Sequence, residues 1–147
     1  MERYAARWIY MAILYFVMAV ALGIFMGASR DHGLMPVHAH LNLLGWVSMA
    51  LTGFIYQYFT DAGRSRLANV HFWVYNLTLP PMMIALSLLL KGHVGIEPVL
   101  GILSMVMGVS VLLFAVNLFF NGPRSVNIAD DQTTPDRIPV PAAGSPA

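Results

Sequence analysis

The chain has 147 residues, 58% of them hydrophobic, with 8 Lys or Arg, 7 Asp or Glu and a formal charge of +1. That balance excludes a soluble globular domain, and the scattered basic residues form no stripe of the kind that binds nucleic acid. The absence of cysteine rules out a disulfide framework, thiolate metal sites and cysteine-linked haem, so any metal has to be held by His, Met or oxygen ligands.

Charged residues avoid four windows, 8–29, 32–60, 67–90 and 98–123. Each exceeds the roughly 20 residues that carry a helix across about 30 Å of hydrocarbon, and backbone hydrogen bonding in lipid leaves the helix as the form such runs take. The expected fold is all-α: a polytopic membrane protein with one domain, residues 1–121, built of four transmembrane helices at about 8–28, 37–59, 67–90 and 98–120. Its first partner is the lipid bilayer.

The first apolar run follows Arg3 and Arg7 like the start of a signal peptide, but it is too long and no small-residue cleavage pattern follows, so a retained span is expected. Gly23 and Gly27 give it a GxxxG face, suited to close packing either inside the molecule or between copies. Pro36 suits the first turn of span two, where its missing N–H is not needed. Pro80 and Pro81 interrupt span three near its middle and are expected to kink or locally open it, since two backbone donors are lost. Span four carries a second small-residue pair, Ser104 and Gly108. Residues 122–147 contain five prolines and no apolar period, the composition of a disordered tail.

Arg3, Arg7, Arg64, Arg66, Arg124 and Arg137 fall on one side of this arrangement, against Arg30 and Lys91 on the other. Loops rich in Lys and Arg stay in the cytoplasm, so both termini are expected there, in a cell inner (plasma) membrane. His32, His38, His40 and His93 then lie at the outer side and His71 near the inner one.

His38 and His40 stand at the mouth of span two, in the segment PVHAHLNLLGWVSMALTGFIYQY at 36–58. Ionisable residues at membrane depth are costly and mark functional sites. On a regular helix two residues separate by about 200°, so the pair faces two different neighbours and cannot chelate one ion. Below His38 the stripe continues through Asn42, Gly45, Met49 and Thr52; below His40 it runs Leu43, Leu44, Val47, Leu51 and Phe54. Gly45 leaves a notch in which a flat macrocycle fits, and Asn42, Trp46 and Ser48 are the nearby polar candidates for tuning a haem. The bland alternative is a pair of interfacial histidines reaching headgroup water.

The segment HAHLNLLGWVSMALTGFIYQYF resembles the tenth transmembrane helix of subunit I of the haem–copper oxidases, nearest the C-type (cytochrome cbb) and nitric-oxide-reductase branches. LANVHFWVYNLTLP resembles the start of the next helix in that family, so the likeness covers about residues 36–90. It implies haem b as cofactor, with His38 on a high-spin haem and His40 on a low-spin haem. It also implies electron transfer or diatomic-gas binding, and assembly as a homo-oligomer or with other respiratory subunits. The family's copper or non-haem iron histidines have no counterpart in this chain, so no copper site is expected from one copy. Its second low-spin ligand is absent too, leaving His71, His93, a methionine or a second protomer to supply it. His71 reads as a structural or interfacial residue about a bilayer away from His40, and His32 and His93 as solvated loop residues. Two rival functions remain open: a zinc or copper site made by His38, His32 and His93, and a non-catalytic accessory or assembly subunit.

Overall fold

A computed structural model describes residues 1–122, and those residues form helices without any strand. Six α-helices follow in order: α1 (Arg3–Ser29), α2 (Met35–His40), α3 (Met49–Tyr58), α4 (Thr60–Arg64), α5 (Arg66–Leu90) and α6 (Glu97–Asn121). Three helical stretches, Arg3–Ser29, Arg66–Leu90 and Val94–Asn121, are long and apolar enough to cross a membrane. The expected tail lies outside the described residues.

Residues 35–58 are helical throughout but not uniform. Between α2 and α3 lies a π-helical segment, Leu41–Ser48, where a regular α-helix was expected. Side-chain donors occupy carbonyls in and around this stretch that an α-helix would give to the N–H four residues on. Asn42 Nδ2 donates to the His38 carbonyl at 2.9 Å, and the Tyr75 hydroxyl reaches from α5 to the Leu44 carbonyl at 3.0 Å. Local competition of this kind loosens the α ladder, and wide turns of the π type recur at functional sites.

Pro36 occupies the first turn of α2, as its missing donor predicts. Pro80 and Pro81 lie inside α5, which continues helically through both. Ser65 caps α5 by accepting the Ala68 N–H at 3.0 Å, satisfying one of the orphan donors of a helix start. Arg30 ends α1 in the left-handed conformation, φ 56°.

The helices associate as two pairs. α1 packs along the 35–58 helix, and α5 packs along α6. Close backbone approach in the first pair depends on small residues: a Cβ at Gly45 would stand 2.7 Å from Tyr15 Cβ, and one at Gly53 the same distance from Ile9 Cδ1. Of the GxxxG on α1, Gly23 meets the His38 ring, whereas Gly27 has nothing within 4 Å. The second small-residue pair is likewise open at Gly108. At the Arg-rich end, Glu2 pairs with Arg64 at 2.9 Å and Arg7 donates to Asn69 Oδ1 at 2.7 Å. These contacts gather the start of α1, the end of α4 and the start of α5 at one end. The Glu2–Arg64 pair is exposed and serves register more than stability.

Gly45→Val should therefore separate α1 from its partner helix at a cost of about 1–3 kcal/mol, as overpacking a filled site does. Gly27→Val, facing open space, should leave the fold unchanged. Thermal unfolding of the two variants in detergent distinguishes them; equal stability would show that the Tyr15–Gly45 contact does not hold the pair together.

Candidate functional site

The two histidines of the HAH motif occupy different surroundings. His38 turns inward against α1, where its Nδ1 lies 3.0 Å from the Ala19 carbonyl. A carbonyl only accepts, so Nδ1 carries the proton and Nε2 is the acceptor, facing Asn42 Nδ2 at 3.3 Å. His38 is thus enclosed between Gly23 and Asn42.

His40 is exposed and turns outward. Its Nδ1 donates to the Pro36 carbonyl at 2.7 Å, which leaves Nε2 with a free lone pair. This is the state in which a histidine serves as a metal ligand, one nitrogen oriented by a carbonyl and the other open. Around it Leu43, Val47, Leu51 and Phe54 are exposed, whereas Gly45, Met49 and Thr52 beneath His38 are buried. The two stripes therefore look in opposite directions, one into the bundle and one out of it.

The remaining expected residues are not gathered around His40. Asn42 serves His38, donating to both its carbonyl and its ring. The notch at Gly45 holds the Tyr15 side chain of α1 rather than open space. Trp46 is partly exposed and packs on Phe16 at a centroid distance of 4.5 Å. His32 and His93 are exposed, and among the described residues no three His, Asp or Glu side chains converge to hold a metal ion. The three-histidine zinc or copper site is accordingly not assembled.

Of the two alternatives expected for His71, structural or interfacial, its surroundings match the structural one: only 1% of its surface is exposed. Trp8 of α1 lies over its ring at 4.6 Å, and Phe114 of α6 and Tyr75 of α5 pack at 5.4 and 5.7 Å. Tyr56 Oη is 3.0 Å from its Nδ1. Asn117 of α6 then donates to Tyr56 Oη at 3.2 Å and to the Ala62 carbonyl at 2.9 Å. Its own carbonyl oxygen accepts from Ser65 at 2.7 Å and from Asn121 at 3.0 Å. Tyr56, the hydrogen-bond partner of His71, lies sixteen positions along the 35–58 helix from His40.

No family model, curated protein or solved structure matches the chain. One sequence signal for the second cluster was present: Asn117 and Asn121 are two amides one turn apart in an otherwise largely apolar run, and buried amides need partners.

Asn117 uses all of its hydrogen-bonding capacity in the interior, so Asn117→Leu strands the Tyr56, Ala62 and Ser65 groups together. Leaving buried polar groups unpaired costs about 1–3 kcal/mol each, and a loss of at least about 2 kcal/mol is expected in detergent unfolding. Val109→Ala, on the exposed side of α6, is the control; equal losses would remove the network from the account of stability.

Proposed function

We propose that the chain crosses a cell inner membrane four times, the 35–58 helix being its second crossing in addition to the three long apolar helices, and holds haem b through His40. The observation that carries this reading is the contrast between the two histidines: His40 offers an unengaged Nε2 on an exposed apolar face, with its ring set by the Pro36 carbonyl. The likeness of the HAHLNLLGWV segment to haem–copper oxidase subunit I supports the same cofactor.

The residues fit the group at His40 and fit it less well at His38. A neutral imidazole ligates haem iron through one nitrogen while the other donates to a carbonyl. His40 meets both conditions as it stands. His38 would have to give up Asn42 and swing away from Gly23, so its role on a high-spin haem requires a shift of α1 against its partner. When bound, haem supplies a one-electron redox change or an open position for O2 or NO. The protein's own part is to orient the imidazole, exclude water with Leu43, Val47 and Leu51, and set the depth of the site near the outer surface.

Because the His40 face points away from this chain's own bundle, the site is completed by another surface, either a second copy or another respiratory subunit. Electron transfer or diatomic-gas binding is the work such a site supports. An accessory subunit without haem is the reading that the same experiment would leave in place.

The test is the reduced-minus-oxidised spectrum of the purified full chain, with the pyridine haemochromogen as a measure of stoichiometry. Haem b is expected, His40→Ala should remove most of the low-spin signal, and His38→Ala should retain it. Absence of haem at any stoichiometry, or equal loss in both variants, would refute the assignment. Dispersal of oligomers into monomers in detergent should turn a six-coordinate spectrum five-coordinate; a monomer that stays six-coordinate and loses that state on His93→Ala would transfer the second ligand to His93.

A further inference from the structure

The buried cluster around His71 has a direction. The Ala68 N–H is given to Ser65 Oγ, whose own proton goes to Asn117 Oδ1. The Asn117 amide cannot be turned over, because its nitrogen faces the Ala62 carbonyl, which only accepts. Its second N–H therefore goes to Tyr56 Oη. The Tyr56 proton then has one acceptor in reach, His71 Nδ1. Neutral His71 with Nδ1 accepting carries its proton on Nε2, and among the described residues that N–H has no hydrogen-bond partner.

His71 also lines a cavity of about 250 Å³ between the 35–58 helix and α6, with Ser48, Thr52, Tyr75, Val111 and Phe114 among its walls. Leu51 and Val111 line it as well and are 55% and 49% exposed, so the cavity opens through the apolar outer surface between those two helices. His71 is 1% exposed, a donor shut off from bulk water without a partner is costly, and most such donors in folded proteins have one, from the protein or beyond it.

We propose that this cleft is a binding site for an apolar, membrane-soluble molecule bearing a carbonyl oxygen, which accepts the His71 Nε2–H while its apolar body lies between Phe114, Val111 and Leu51. The cleft begins at Leu44, one turn beyond His40, and shares Leu51 with the His40 face, but its donor, His71, is carried by α5 and the site does not depend on haem. Carbonyl compounds of this kind come from two sources, prenylated benzoquinones and the ester groups of acyl lipids.

The full chain in nanodiscs, labelled with 15N-histidine, separates them. Decylubiquinone and monoolein are titrated in turn, and the His71 Nε2 resonance is followed. A saturable shift with decylubiquinone alone assigns the site to quinones, and one with monoolein alone assigns it to acyl esters; a shift with both supports the shared carbonyl chemistry. Val111→Trp fills the mouth without touching the polar chain and should abolish the shift. His71→Phe removes the donor and should weaken binding, measured calorimetrically, about tenfold, the worth of one hydrogen bond. No saturable shift with either probe, a resonance showing the proton on Nδ1, or undiminished binding to Val111→Trp would each overturn the proposal.

Discussion

The contact between Trp8 and His71 is where the two helix pairs become one body. Trp8 belongs to α1 and is fully buried, and its ring lies 4.6 Å from His71 and 5.2 Å from Phe72 of α5. Tyr56 of α3 approaches the same histidine by a hydrogen bond, and Asn117 and Phe114 of α6 close the cluster. Four helices thus meet at one aromatic and polar node. Large rings are suited to that task because they bridge helices whose backbones are not close, while the two pairs themselves rest on small residues and close approach. Within the polar half of the node, Tyr56 and Asn117 have designated partners, which is what makes them permissible in an apolar interior.

The same constraint explains the wide turn after the HAH motif. Asn42 and Tyr75 bring side-chain donors to backbone carbonyls at His38 and Leu44, and the helix answers by widening over eight residues. Tyr75 stands between the two regions. Its hydroxyl holds the π-helical segment and its ring packs on His71, so the geometry below the motif is tied to the node that joins the helices.

Helix limits and the opposed faces of His38 and His40 were legible in the sequence, since both follow from hydrophobic runs and from the angle per residue. Alternation of buried Gly45, Met49 and Thr52 with exposed Leu43, Val47 and Phe54 is a periodic pattern, and periodicity is local. Three features were not legible, because each depends on a residue remote in the chain. Tyr15 fills the notch that Gly45 opens. The π-helical turn needs Tyr75, thirty-one residues beyond Leu44. Burial of His71 needs Trp8 on one side and Phe114 on the other, whereas the distribution of Lys and Arg along the chain gives only its side of the membrane. Asn117 was a visible anomaly, yet nothing in the sequence says that Tyr56 is its partner.

The central claim is that one short motif serves two environments, with His38 locked into the bundle and His40 open to its surroundings. A chain without native cysteine permits a direct measurement. Single His38→Cys and His40→Cys variants are spin-labelled, reconstituted in bilayers, and their collision with dissolved oxygen is measured by power-saturation electron paramagnetic resonance. The account predicts a mobile, oxygen-accessible label at position 40 and an immobilised, poorly accessible one at position 38. Equal accessibility at the two positions, or the reverse order, would contradict it.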